Sequence, residues 1–374
     1  MNMQASIEQI LSRYDDRVPL SHASTIPAPW YVDPRIAELE RLNVFGRTWQ
    51  LAARTDQLHQ PGEFVSTRLA GEPVVIVRGN DGALNAFYNV CRHHAAAVVT
   101  QPCGQTAILQ CPYHGWKYGL DGALKGTPEF DGVENFDRAQ NGLVPIRVET
   151  WECFVFVNLD PQAAPLQEFL GGLVNRIAPL NISKLHYFAR RSYDIQCNWK
   201  VYVDNYLDGG YHVPHLHKGL SSVLDYKQYT IENEDRYCLQ SSPMVSSNED
   251  AATGATRKGD RARYFWQYPN LMINCYEGYM DTNYVIPVDA DHCTVIFDFY
   301  FSDVSDARRE YNNESVEVGS RVQDEDLGIC EDVQRGLKSR AYGAGRLSVR
   351  REAGEHLFHR LLAADLKRKK FVET

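Results

Sequence analysis

The chain has 374 residues, 44% hydrophobic and 23% charged, which is the size and composition of a globular protein with two ordinary domains. A formal charge of −9 argues against nucleic acid as a partner, and no apolar run reaches the roughly eighteen residues that a membrane span needs. Nine cysteines in so long a chain are not a disulfide scaffold, and MNMQASIEQILSRYDD does not read as a secretory or transit leader, so a cytoplasmic location with free or metal-bound thiols is expected.

Residues 1–47 read as an N-terminal helical arm. Asp33-Pro34 supplies an N-cap and a first helical residue, and Ile36, Leu39, Leu42, Val44 and Phe45 follow at rough helical spacing up to Gly46. Residues 48–162 change to short β-branched or aromatic runs: Val74–Arg78, Asn85–Val90, Ile108–Cys111, Leu143–Glu149 and Cys153–Leu159. Asn80-Asp81-Gly82 and Leu120-Asp121-Gly122 punctuate them, which predicts a small all-β domain. Pro161–Pro165 reads as the boundary, and residues 163–374 as a second domain. Longer strands are expected there at His186–Cys197, Tyr226–Gln240, Arg263–Tyr268, Leu271–Tyr276, Asn283–Val288 and Cys293–Phe301, with helices over 306–340 and 351–369. That is an α+β pattern, a large antiparallel sheet with packed helices. The polar stretch Ser246–Gly259 reads as a mobile loop.

The β-rich part carries Cys91-Arg92-His93 and, seventeen residues on, Cys111-Pro112-Tyr113-His114-Gly115-Trp116. Each half follows an expected strand, so each sits at a strand-to-loop exit. Two thiolates and two imidazoles are the ligands of a Rieske [2Fe–2S] centre, the cysteines on one iron and the histidines on the other. A structural Cys2His2 zinc site is the other reading, although zinc ligands usually pair as two cysteines and then two histidines. His94 is expected to face outward or to hydrogen-bond, and Cys103 to be a bystander.

The second part carries Asn198–His217, NWKVYVDNYLDGGYHVPHLH, with Asp204, Asp208, His212 and His217 among apolar neighbours. Buried charges of this kind are paired or bind metal. Helical periodicity puts Asp204, Asp208 and His212 on one stripe. A break near Tyr211–Pro214 would then bring His217 back beside His212. Two imidazoles and a carboxylate, with open positions, are the ligand set of a non-haem Fe(II) oxygenase. Two satisfied core histidines with surface aspartates are the bland alternative.

Together, CRHHAA…CPYHGW and NWK…DNYLDGGYHVPHLH resemble the α subunits of the Rieske non-haem iron, ring-hydroxylating oxygenases, over nearly the whole chain. Ala96 and Tyr113 stand where electron-transport Rieske proteins carry two further cysteines, which places the likeness in the oxygenase branch. The resemblance implies a small Rieske domain, a helix-grip-like catalytic domain, one [2Fe–2S] cluster and one mononuclear Fe(II) per subunit. It also implies a separate NAD(P)H-dependent reductase or ferredoxin, O2 as co-substrate, and a homotrimer in which one subunit's cluster serves its neighbour's iron. The cluster would be held by Cys91, His93, Cys111 and His114, the last making the contact across subunits. The iron would be held by His212, His217 and Asp326 of the late helix, with Asp324 and Glu325 as competitors. The bridging acid would be Asp208, although it lies four residues before His212 where the family usually has three. Asp204 would support the site from behind.

Within the family the chain looks most like choline monooxygenases, through DNYLD-x-x-YHVP, YPNLMIN, YMDTN and EDVQRGL. This implies hydroxylation of a quaternary ammonium compound, choline to betaine aldehyde hydrate. Aromatic faces hold such cations, and Trp266, Tyr276 and Tyr279 are the expected cage, with Glu277 as a counter-charge. Another betaine, carnitine or an aromatic acid is the alternative substrate. An acid would call for a buried Arg or Lys, and near the iron motif only Lys200 and Lys218 stand out. A non-catalytic Rieske electron carrier would have no use for the second metal set.

Overall fold

A computed structural model describes residues 5–245 and 250–368. It divides into two compact units, Arg41–Phe169 and a second made of Met1–Glu40 with Leu170–Thr374. Both divisions fall seven residues from the expected boundaries at 47/48 and 162/163.

In the unit Arg41–Phe169 the strands are β1 (Gln50–Arg54), β2 (Glu63–Leu69), β3 (Glu72–Arg78), β4 (Leu84–Tyr88) and β5 (Cys103–Gln105). They continue as β6 (Leu109–Gln110), β7 (Lys117–Tyr118), β8 (Leu124–Gly126), β9 (Pro145–Trp151) and β10 (Phe154–Asn158). A seven-stranded antiparallel sheet runs β1-β10-β9-β4-β3-β2-β5, and β6-β7-β8 form a small second sheet. Strand β3 shows why so short a sequence makes a core. Its Val74 and Ile76 enter one apolar cluster, while Val75 and Val77 enter another that contains Cys91, Cys111 and Trp116. Alternate residues of a strand face opposite ways, so the metal motif rests on one face of a strand whose centre, Val74–Val77, is fully buried.

The second unit begins with α1 (Ile7–Leu11), α2 (Pro29–Val32) and α3 (Pro34–Glu40). Pro34 opens α3 as its sequence predicts, but the α-helix stops at Glu40 and Arg41–Phe45 form a wider π-type turn before Gly46. After α4 (Leu166–Leu170) and α5 (Leu173–Ile177) come β11 (His186–Ile195), α6 (Trp199–Leu207), α7 (Val213–Leu216) and α8 (Lys218–Ser222). Then follow β12 (Thr230–Glu234), β13 (Tyr237–Pro243), α9 (Ala251–Thr256), β14 (Arg261–Gln267), β15 (Leu271–Tyr276), β16 (Tyr279–Pro287) and β17 (Cys293–Phe301). The long α10 (Arg309–Leu337) and α11 (Ala353–Leu366) finish the chain. A seven-stranded antiparallel sheet, β11-β17-β16-β15-β14-β13-β12, carries the helices. Among the described residues no helix is long and apolar enough to cross a membrane.

Two sequence expectations need correction. Tyr226–Gln240 is not one strand: a 3-10 turn at Tyr226–Gln228 precedes a hairpin, β12 to β13, which turns at Asp235 with φ +33°. The expected loop Ser246–Gly259 contains α9, whose Thr253 and Thr256 are buried; residues 246–249 lie outside the described residues.

Helix α10 explains how the sheet meets the site. Its buried positions, among them Ser315, Gly319, Gln323, Asp326 and Cys330, recur every three or four residues, so one stripe faces inward. At Gly319 a Cβ would meet a Phe299 ring carbon at 3.0 Å, so the glycine sets how closely helix and sheet approach.

Candidate metal centres and pocket

In the β-rich unit the two loops bring the four expected cluster residues to one apex. The His93 and His114 rings lie 4.7 Å apart, centroid to centroid. Cys91 and Cys111 are buried beneath them. Each loop is a tight turn closed on its cysteine: Ala95 N–H donates to Cys91 O at 2.9 Å, and Gly115 N–H to Cys111 O at 3.1 Å. Gly115 sits at φ +73°, a conformation glycine adopts without strain. Trp116 stacks on His93 at 4.7 Å and is itself buried against Phe130 and Phe136. The cluster chemistry fits here, because His93 Nδ1 is buried without a hydrogen-bond partner and an orphaned imidazole nitrogen beside two buried thiols is a ligand set. The sequence reading missed Tyr118, whose hydroxyl lies 3.3 Å from Cys91 Sγ and accepts Arg92 N–H at 3.0 Å. Its place two residues after Trp116 was the available signal. His94 is exposed, as expected, and so are His114 and Cys103.

In the second unit α6 starts at Asn198, whose side chain caps Lys200 N–H. Glu40 fixes this helix, accepting from Trp199 Nε1 at 2.8 Å and Lys200 Nζ at 2.6 Å. The break comes earlier than expected, at Gly209 and Gly210, with φ +70° and +68°. A Cβ on Gly209 would lie 2.0 Å from Arg351 O, so no other residue fits there unshifted. Pro214 does not end a helix; it sits in the first turn of α7, where its missing N–H costs nothing.

This chain reversal places His212 and His217 side by side, ring centroids 4.9 Å apart, and α10 brings Asp326 to them. Asp326 Oδ1 lies 3.1 Å from His217 Nε2 and 3.9 Å from His212 Nε2. Ligand atoms of all three residues lie within 4.8 Å of one another. The outward nitrogens are engaged by other carboxylates, His212 Nδ1 by Asp208 at 2.6 Å and His217 Nδ1 by Glu325 at 2.7 Å. Such acids fix ring orientation and leave Nε2 free for a metal. Asn205 Nδ2 donates to Asp326 Oδ1 at 2.8 Å. Burial opposes protonation of His217, but Asp326 and Glu325 outweigh it and hold its pKa above the usual value. A dication relieves that negative field, so the donor set fits iron: the chain has a Rieske [2Fe–2S] motif and a mononuclear metal triad.

Of the competing acids, Glu325 contacts the outer nitrogen of His217 and Asp324 is exposed. Asp204 goes elsewhere: it accepts from Tyr31 OH at 2.5 Å and lies 3.0 Å from His359 Nε2, beside buried Glu355.

A pocket opens on the triad, lined by Tyr206, Tyr229, Tyr264, Tyr276, Asp281 and Arg257 among others. The strand register builds it. Gln240, Tyr264, Asn274, Asp281 and Phe299 are direct cross-strand neighbours and form one row over β13 to β17. Burial pushes the Asp281 carboxyl above its usual range, against the field of Arg257 and the hydrogen bond from Tyr279. Of the expected cage, only Tyr276 lines the pocket. Tyr279 lies behind it, its ring centroid 5.7 Å from that of Tyr276. Trp266 is fully buried against Tyr268 and Phe358 and donates to Pro269 O. Glu277 is exposed, and beside the triad's Asp326 the carboxylate that lines the pocket is Asp281. Lys200 is paired with Glu40 and Lys218 is exposed; a buried cation that lines the pocket, which the sequence reading did not find, is Arg257.

Comparison with known proteins agrees with this architecture. Residues 182–367 match the model of the ring hydroxylating alpha subunit catalytic domain, and residues 48–137 that of the Rieske [2Fe-2S] domain. The chain is 37% identical to a chloroplastic choline monooxygenase of Arabidopsis thaliana, covering 97% of this chain and 88% of that one. It is 34% identical to the carnitine monooxygenase oxygenase subunit of Escherichia coli K12, covering 91% and 93%. A solved quaternary ammonium Rieske monooxygenase superposes with a TM-score of 0.84 at 32% identity, over 92% of this chain and 96% of that one. With both metal sets assembled and the likeness running from end to end, the chain belongs to the ring-hydroxylating, Rieske-type oxygenase α-subunit family and is an enzyme.

Proposed function

We propose that the protein is a monooxygenase that hydroxylates a quaternary ammonium compound with O2 and electrons from a separate NAD(P)H-dependent reductase or ferredoxin. The balance is one C–H bond converted to C–OH, with O2, two electrons and two protons consumed and one water released. The observation that carries the reading is the pocket itself: five tyrosines and the buried carboxylate of Asp281 line it, open to the histidine–carboxylate triad. A quaternary ammonium donates no hydrogen bond, so ring faces and a desolvated carboxylate are the chemistry that holds it. The names of the relatives at 37% and 34% identity, choline and carnitine monooxygenases, support the same class.

Cys91, His93, Cys111 and His114 would hold the [2Fe–2S] cluster, and His212, His217 and Asp326 the iron. When bound, the cluster supplies electrons one at a time and Fe(II) supplies O2 activation. Asp208 orients His212 through Nδ1, Glu325 orients His217, and Asn205 holds Asp326. Asp208 is also our candidate for the acid that joins this site to a neighbouring subunit's His114 in a homotrimer. A cytoplasmic setting suits the nine cysteines, all free among the described residues.

The sequence favoured choline as the substrate. The buried guanidinium in the pocket favours the second reading, another betaine or carnitine. The test is turnover of the iron-loaded protein, with reductase and O2, against a panel of quaternary amines. Product formation from at least one of them is expected. Hydroxylation of an uncharged or purely anionic aromatic compound, with none of any quaternary amine, would refute the reading.

A further inference from the structure

Arg257 is 6% exposed and lines the pocket, yet among the described residues no carboxylate comes within ion-pair distance of it. A buried charge left unpaired is costly, and this one is held firmly. Its guanidinium donates to Ser315 Oγ at 2.7 Å, to Ser315 O at 3.3 Å and to Tyr279 OH at 3.3 Å. It lies 4.4 Å from the Tyr279 ring centroid and 5.2 Å from that of Tyr276. Asp281 is the mirror case. It accepts from Tyr279 OH at 2.6 Å, Asn274 Nδ2 at 2.7 Å and Asn283 Nδ2 at 3.3 Å, and among the described residues no cation pairs with it directly. The Tyr279 hydroxyl stands between them, accepting from one and donating to the other.

Apart from the triad's Asp326, the pocket therefore offers one fixed positive and one fixed negative group, each desolvated. A simple cation would be drawn to Asp281 and repelled by Arg257. An aromatic acid would meet the opposite conflict. Resting on the quaternary ammonium reading above, we propose that Arg257 is a carboxylate receptor and Asp281 the counter-ion of the ammonium, so that the substrate is a zwitterionic betaine.

The geometry gives this an order. The guanidinium touches α10 at Ser315 and lies 3.4 Å from where a Cβ on Gly319 would be. Those positions precede Asp326 by two to three turns, about 10–16 Å along the helix, and all belong to its buried stripe. The anion receptor is thus at the end of the pocket away from the triad. Arg257 and Asp281 meet the same Tyr279 hydroxyl, at 3.3 and 2.6 Å, and that close spacing suits a carboxylate and an ammonium separated by a short carbon chain, with the carbons next to nitrogen turned towards His212 and His217.

The test is calorimetric binding to the holoprotein of 4-trimethylammoniobutanoate, its methyl ester and choline, paired with turnover of each. The wild type should bind the acid at least about thirtyfold more tightly than the ester, the scale of a charge-assisted bidentate contact. In Arg257→Met the acid and ester should bind within about threefold of each other, and Arg257→Lys should recover part of the preference. Asp281→Asn should weaken acid, ester and choline alike. Equal binding of acid and ester by the wild type would overturn the proposal even if Arg257→Met failed to fold. Good turnover of choline and ester in that case would leave the quaternary ammonium reading standing. Binding of benzoate with no response to any quaternary amine would remove both.

Discussion

Replacing Lys200 by Met tests how the N-terminal arm controls the catalytic helix. Lys200 is completely buried and, among the described residues, is ion-paired with Glu40, itself 1% exposed. In the variant Glu40 keeps the 2.8 Å bond from Trp199 Nε1 and loses its cation. Removing one member of a buried ion pair costs about 3–5 kcal/mol. At about 2–4 °C per kcal/mol for a unit of this size, the melting temperature should fall by about 6–20 °C. The double variant Lys200→Met/Glu40→Gln should recover most of that loss, because removing both partners is nearly neutral while stranding one is not. Burial already raises the Glu40 pKa above 4.5 despite Lys200 and Trp199. Without Lys200 it rises further. A carboxyl whose folded pKa is raised costs nothing where both states are protonated, and loses stability as pH climbs through the folded value. The deficit of Lys200→Met should therefore be larger at pH 8 than at pH 5. Thermal unfolding of the holoprotein, followed by tryptophan fluorescence at both pH values, decides it. A shift under 2 °C, or a double variant no better than the single one, would refute the reasoning.

Asp326→Ala should lower the iron content from about three to about two atoms per chain with the visible spectrum of the cluster unchanged; three retained atoms would exclude Asp326 as a ligand. Tyr118→Phe removes the hydroxyl on Cys91 Sγ, and one lost hydrogen bond of about 1 kcal/mol corresponds to roughly 40 mV for a one-electron couple, so potentiometric titration should find the cluster potential lower by that order. Asp208→Ala should leave both metals bound and abolish steady-state turnover, and normal turnover would remove its bridging role. Gly319→Ala gains helix propensity, about 1 kcal/mol, but presses on Phe299, so the melting temperature should hold while KM rises several-fold; an unchanged KM would show that the sheet yields.

The candidate metal ligands stand out in the sequence because metal chemistry restricts residue type and spacing together. Cys91, His93, Cys111 and His114 sit on two short loops whose separation is written in the chain. The pocket was not legible in the same way. Part of its wall is a row across four strands, Gln240, Tyr264, Asn274 and Asp281, and that row exists only once β13 to β16 are in register. Choosing aromatics by type selected Trp266, which the same sheet buries beneath α11. Asp281 stands within YMDTN, but nothing in the spacing favours it over Glu277 four residues earlier, which falls in the turn between β15 and β16. Arg257 was hidden for another reason. It follows a helix of six small or polar residues, AATGAT, whose burial comes from packing on α10 and leaves no apolar periodicity to read.

These two kinds of information meet on α10. One inward stripe carries Asp326 to the histidines, Gly319 to the sheet and Ser315 to the guanidinium. Any rotation of the helix that improved one contact would disturb the other two, because residues on one stripe turn together. Metal and charged subsite are therefore not independently adjustable. A change of substrate length would be met most economically on the strands opposite, at Gln240 or Tyr264, which line the pocket and hydrogen-bond to Tyr206 O and Tyr276 OH rather than to Arg257 or Asp281. Relatives with shorter or longer substrates should then differ at those strand positions while keeping small residues where Gly319 stands.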